Sequence, residues 1–157
     1  IGVDMTPAML ARARTNAGRA GFSNVEFRLG EIEHLPVADA SIDVVISNCV
    51  INLSPDKPQV FREAFRVLSP GGRLAVADVV ATAEIPDEIR RSLEAYTGCV
   101  AGASPVSELV AMMTTAGFED ITVDIAPGGH DLVDSWMPAD RPGRYVASAR
   151  IQGTKPA

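Results

Sequence analysis

The stretch from Asp43 to Leu53 constrains this chain more than any other. Val44, Val45 and Ile46 form an unbroken apolar run of β-branched residues. Such a run suits a strand covered on both faces, as in a parallel sheet. It stops at Ser47, Asn48 and Cys49, so polar and reactive groups follow a buried strand directly. In open α/β sheets, ligands bind at the carboxyl ends of the strands. Cys49 therefore has two readings: a group facing a ligand, or a small buried hydrophobe, as free cysteines often are.

The flanking pattern extends this into a fold. Ile1 to Asp4 reads as the end of a strand. Thr6 is placed to cap a helix with its hydroxyl, and Pro7 suits the first helical position. Met9, Leu10, Ala13, Ala17 and Ala20 recur on one helical face, and Gly21 can end the helix in a left-handed conformation. Asn24 to Leu29 alternates as a second strand. Glu33 to Ser41 reads as a loop or a single turn. A helix opens after Ser54-Pro55-Asp56, and Ser69-Pro70-Gly71-Gly72 is a turn signal before an apolar strand from Arg73 to Val80. Strands alternating with helices argue a doubly wound parallel sheet. Beyond it, helices are expected over Ile85–Tyr96 and Pro105–Ala116, and a strand over Phe118–Ile125. An irregular loop over Pro127–Gly143 and a last strand over Arg144–Ile151 complete the chain.

At 157 residues the chain has room for one domain, 1–157, with one sizeable core. The net charge is −6, and only two of fourteen basic residues are lysines, which argues against nucleic acid or an anionic membrane as partner. No apolar run has transmembrane length, and two cysteines fifty residues apart make no disulfide framework. A reduced, cytoplasmic protein is the expectation. The chain opens on strand-like residues rather than methionine, so a piece of a longer chain is expected.

Asp4 ends the first strand, where an acidic residue can accept from the ribose hydroxyls of a nucleotide cofactor. The same residue before Thr-Pro also suits a plain turn. Glu31, followed by Ile32, ends the next strand, where a carboxylate can accept from an adenine amino group. No Gly-x-Gly-x-x-Gly loop occurs. Cys49 and Cys99 are the only thiols, each at an expected break in structure. Thiolates favour soft ions, and two do not complete a structural zinc site. A pyramidal ion held by two or three thiolates fits them better. His34 and His130 are expected at the surface, and Met112, Met113 and Trp136 in packing.

Several segments resemble class I S-adenosylmethionine-dependent methyltransferases. Leu68-Ser69-Pro70-Gly71-Gly72-Arg73-Leu74 resembles their Leu-x-Pro-Gly-Gly turn, and Gly30-Glu31-Ile32-Glu33-His34-Leu35-Pro36 their adenine segment. Three further stretches, Gly2–Thr6, Ile46–Ser54 and Tyr96–Ala103, resemble arsenite methyltransferases. The resemblance runs from Ile1 to about Ala149. It implies a Rossmann-like sheet with helices on both faces, here without the family's first strand and glycine-rich loop. It also implies methyl transfer from S-adenosylmethionine to arsenite bound by cysteine thiolates. A small-molecule thiol or thioredoxin-like reductant is the implied partner. Carried over by motif, Asp4 binds the ribose, Met5 packs on the adenine, and Glu31 and Ile32 meet its edge. Asn48 faces the methionine part of the cofactor, and Cys49 and Cys99 are arsenic ligands. The family's first strand lies between those ending at Asp4 and Asn48. Without it, two strand edges are left unpaired, so marginal stability or pairing with a second copy is expected.

Overall fold

A computed structural model describes residues 1–91, 99–137 and 141–157. Six strands and five helices follow one another as a mixed α/β arrangement among these residues. Strand β1 (Gly2–Asp4) leads to helix α1 (Pro7–Ala20) and strand β2 (Phe27–Leu29). Strand β3 (Ile42–Asn48) precedes a short 3-10 turn (Ile51–Leu53), helix α2 (Lys57–Val67) and strand β4 (Leu68–Ala81). Helix α3 (Asp87–Arg90), helix α4 (Val106–Ala116) and strand β5 (Glu119–Ile125) come next. Helix α5 (Gly129–Trp136) and strand β6 (Val146–Thr154) finish the fold.

The strands form two sheets. β1 and β2 pair in parallel, and a second sheet has the order β3-β4-β6-β5. β3 and β4 are parallel, as the alternation of strand and helix predicts, but β6 runs antiparallel to both β4 and β5. The all-parallel expectation is thus corrected at β6, which follows β5 without a crossover back to the same end. β1 and β3 each leave one edge without a strand among the described residues. A cavity of about 330 Å³ lies between them, lined by Ile1 and Val3 on one side and Val44, Ile46 and Asn48 on the other. Ile46, mid-strand, is 79% exposed along this slot.

Alternate residues of β4 enter two cores. Leu74, Val76 and Val80 join Phe61 of α2, Leu109 and Met113 of α4, and Ile151 of β6. Val79 and Ala81 join Val133 of α5, Val146 of β6, Val100 and Cys99. The Pro-Gly-Gly turn lies within β4 rather than before it. Ile42 pairs with Leu68 and Val44 with Arg73, so Ser69–Gly72 bulges out of the ladder. Gly71 has φ 76°, and a Cβ on Gly72 would come within 2.8 Å of the Ser69 carbonyl. Glycines meet both demands.

Other expectations shift for identifiable reasons. Thr6 precedes α1, but its side chain makes no capping bond; the Asp4 Oδ1 accepts the Thr6 N–H instead, at 2.7 Å. Of the apolar stripe on α1, only Leu10 is buried, because the helix covers just the two-stranded sheet. Asp56, by contrast, caps α2 by accepting the Gln59 N–H at 3.1 Å. The loop expected over Pro127–Gly143 contains α5. Its polar look conceals tertiary anchors: Val133 is fully buried, the Asp134 carboxylate accepts the Gly143 N–H, and the His130 Nδ1 bonds the Gly143 carbonyl. Met113 is buried and Met112 packs against the core, whereas Trp136 is 43% exposed. The helix expected over Ile85–Tyr96 is described only as α3, since 92–98 lie outside the described residues. Among the described residues, no helix is long and apolar enough to cross a membrane.

Candidate functional site

The carboxyl end of β3 delivers Cys49. Its N–H donates to the Ala77 carbonyl at 2.9 Å, which carries the β3–β4 pairing one residue past the strand. There the chain turns sharply, with Cys49 at φ 51°. Cys99, fifty residues further on, sits at φ 61°. The left-handed region is uncommon for residues with a Cβ and is held only where surrounding structure imposes it. Both cysteines occupy it, and they meet: the Cys99 thiol donates to the Cys49 carbonyl at 3.2 Å.

Asp78 of β4 joins them. One ligand atom from each of Cys49, Asp78 and Cys99 falls within 4.8 Å of the others. Zinc–thiolate bonds measure about 2.3 Å, so one soft ion can span sulfurs up to about 4.6 Å apart. The two thiols therefore stand close to bridging distance. Asp78 is buried, and its carboxylate is already occupied by protein donors. It accepts from the Val79 N–H at 2.8 Å, the Ile51 N–H at 3.1 Å and the Asn52 amide at 2.9 Å.

Burial raises both thiol pKa values, and the Asp78 charge adds to the effect. Cys99 is pushed up to about 12. Burial also raises Asp78, against the hydrogen bonds that favour its charged form. Both shifts favour the protonated thiols beside a buried carboxyl group.

The second group of expected residues clusters at the ends of β1 and β2. The Gly30 N–H donates to the Asp4 carbonyl at 3.1 Å, which brings the two strand ends together. Met5 is 71% exposed, and Glu31 is exposed beside half-buried Ile32, which packs against the main core. Asn48 is exposed at the end of β3, on the slot that separates the two sheets. The side chains of Glu31 and Asn48 make no hydrogen bond to another described residue. His34 and His130 are exposed, as expected.

Polar ties position the segment from Glu33 to Val37. Arg66 of α2 pairs with Glu63 at 2.7 Å and donates to the Leu35 and Val37 carbonyls at 3.0 and 2.9 Å. Glu63 accepts the Leu35 N–H at 2.7 Å. The Gln59 amide donates to the Glu33 carbonyl at 3.0 Å, and the Ser54 hydroxyl to the Glu33 carboxylate.

Asn52 and Asp78 are the site residues that sequence reasoning misses. Asp78 carried a signal, as an ionisable residue inside the apolar run from Leu74 to Ala81. Asn52 carried none, since it resembles any polar residue in a turn.

Comparison with known proteins gives a consistent picture. A methyltransferase-domain profile matches residues 1–130. An arsenite methyltransferase of Halobacterium salinarum is 54% identical across the whole of this chain, which spans 40% of that relative's length. The crystal structure of an arsenic (III) S-adenosylmethionine methyltransferase from Chlamydomonas reinhardtii superposes with a TM-score of 0.73 at 33% identity, over 99% of this chain and 54% of that one. Phosphoethanolamine N-methyltransferase 2 of Haemonchus contortus shares the fold alone, with a TM-score of 0.80 at 16% identity, over 99% of this chain and 43% of that one. With a profile match over most of its length, the chain belongs to the methyltransferase-domain family.

Proposed function

We propose that this chain, 1–157, is part of an S-adenosylmethionine-dependent arsenite methyltransferase in which Cys49 and Cys99 hold trivalent arsenic. One observation carries the reading: two thiols fifty residues apart in sequence have their sulfurs within 4.8 Å. The similarity to arsenite methyltransferases supports it independently.

Neutral thiols suit arsenite. Each S–H proton leaves with an arsenic hydroxyl as water while an As–S bond forms, so neither step changes an oxidation state. Trivalent arsenic keeps its lone pair and can attack an electrophilic methyl group. Nothing on arsenic needs deprotonating, so the work of the protein is alignment.

S-adenosylmethionine supplies an electrophilic sulfonium methyl when bound. The strand-end residues fit it. Asp4 spends one carboxylate oxygen on the Thr6 N–H and keeps the other for ribose hydroxyls. Glu31 offers an uncommitted carboxylate to the adenine amino group, and Ile32 and Met5 offer apolar surface to the ring. Asn48 presents a free amide at the neighbouring strand end, toward the amino-acid part. The slot between β1 and β3 would take a further strand with its glycine-rich loop, consistent with a chain that spans 40% of its relative.

The chain alone is expected to have impaired activity, so the test is to incubate the longer protein that contains it with S-adenosylmethionine, arsenite and a small thiol reductant, and to measure methylarsenicals and S-adenosylhomocysteine by mass spectrometry. Methylated arsenic that disappears in C49S and C99S is the expected result. Arsenite binding that needs both cysteines, with no affinity for S-adenosylmethionine, leaves a thiol-based metalloid-binding role instead. Methylation of another small acceptor, with arsenite untouched, assigns a different methyltransferase.

A further inference from the structure

Three polar residues behind the cysteines have no place in the chemistry above. Asn52 is 3% exposed and Asp78 2%. The Asn52 amide donates to the Asp78 carboxylate at 2.9 Å, to the Val79 carbonyl at 2.6 Å and to the Cys99 carbonyl at 3.2 Å. Asp78 in turn accepts from the Ile51 and Val79 backbone. Lys57 donates to the Gly102 carbonyl and to the Ser104 hydroxyl, the latter at 2.8 Å. A Cβ on Gly102 would come within 2.1 Å of the Asn52 carbonyl, so the two backbones are in direct contact.

These bonds share one geometric consequence. The turn after Cys49 and the segment that begins at Cys99 are joined through Asn52, and Asn52 is anchored to β4 by Asp78. Neither cysteine gains its left-handed backbone from a glycine, so the conformation depends on such outside support. Asp78 lies near both sulfurs, yet its oxygens already face protein donors, which suits a support better than a ligand.

We propose that Asn52 and Asp78 are positioning residues that set the separation of the Cys49 and Cys99 sulfurs before any ligand arrives. The inference rests on the arsenic-binding reading of the two cysteines. Groups that orient the ligands of a soft ion affect its affinity strongly, and their loss weakens binding by about 10- to 100-fold. Preset sulfurs also make the second As–S bond an intramolecular step with a high effective concentration.

The reduced chain is titrated with phenylarsine oxide, a trivalent arsenical that bridges two thiols. Two S–H protons leave with the arsenic-bound oxygen as water, and two As–S bonds form without a redox change. Affinity is read by competition with a small dithiol. C99S supplies the one-thiol reference. N52A and D78N are expected to bind about 10- to 100-fold more weakly than the parent, approaching C99S. Both thiols of N52A should still react with a monofunctional alkylating agent at the parental rate, and those of D78N no more slowly, because the Asp78 charge that raises their pKa values is gone. A role limited to stability would lower the melting temperature and leave the ratio of two-thiol to one-thiol binding unchanged. A parent that binds no better than C99S sinks the arsenic reading itself. A parent that binds tightly, with N52A and D78N equal to it, overturns the positioning role alone. If N52A does not fold, D78N keeps the side-chain shape and carries the comparison. The parent offers one more check, through amide exchange at Ile51 and Asn52. Preset thiols predict the same exchange with and without the arsenical, and strong slowing on binding overturns the proposal.

Discussion

The chain builds the same β-α-β unit twice, and only one of the two is well buried. In β1–α1–β2, a helix of 14 residues buries Leu10 alone. In β3–α2–β4, a helix of 11 residues buries Val60, Phe61, Glu63, Ala64 and Val67. The local signals are comparable. Each helix has a proline in its first turn, and α1 even has the better stop, Gly21 at φ 72°. What differs is the surface beneath. α2 packs on a four-stranded sheet and against α4, whereas α1 covers a two-stranded one. A two-stranded pair offers little apolar area to a helix and is marginal by itself. Helix ends are thus decided locally, while helix burial depends on how many strands stand side by side.

The largest test of this contrast is Phe61→Ala. Phe61 is fully buried, so its loss should cost about 3–5 kcal/mol in a urea melt. Leu10→Ala should cost clearly less; an equal cost would show that the two units are packed alike. Gly102→Ala probes the tie within the better-packed region. Its new Cβ would press on the Asn52 carbonyl, and about 1–3 kcal/mol of lost stability is expected by the same melt.

Glu63→Gln probes the link between the two units, because Glu63 and Arg66 hold the loop that leads from β2 to β3. The hydrogen bond from Arg66, and then that from the Leu35 N–H, hold the Glu63 carboxyl below its ordinary value of 4.5. Its folded-state pKa is therefore lower than its unfolded one. The stabilisation is complete above pH 4.5 and fades as pH falls through the folded-state value. E63Q should cost about 1–2 kcal/mol at pH 7, with the gap to the parent closing in acid. A gap that persists unchanged to pH 2 would refute the linkage. Met9→Ala should do least. Met9 is half exposed on α1, and a change within about 0.5 kcal/mol is expected. A larger loss would mean that α1 is covered in solution by something that packs on it.

Much of this was readable from residue order. The apolar run at Val44–Ile46 marks a strand, with Asn48 at its end and Cys49 just after, but not one covered on both faces, since Ile46 lies exposed on the slot. Pro7, Gly21 and Asp56 punctuate helices where expected, because such signals act within a few residues. α5 was not readable, since its anchors reach outside the helix to Gly143 and Val146. The reversal of β6 was equally hidden, because an alternating strand fits either direction. The candidate site divides in the same way. Cys49 stands out at a strand end, and Cys99 at a break. Their approach to within 4.8 Å depends on Asn52 and Asp78, whose roles exist only once β3, β4 and the Cys99 segment are assembled.

The pairing of β6 with β4 bears on how this protein is made. β4 carries Asp78, and one of its edges is covered by Val146–Thr154, with Asp78 opposite Ala149. Lys155 then fastens the end of α2, donating to the Phe65 and Leu68 carbonyls at 2.8 and 2.7 Å. On a ribosome these residues emerge after everything they hold in place. The two cysteines are therefore synthesised before the strand that supports their surroundings exists. Nascent chains stalled before Val146 should therefore have thiols more reactive toward alkylating agents than those of the finished protein.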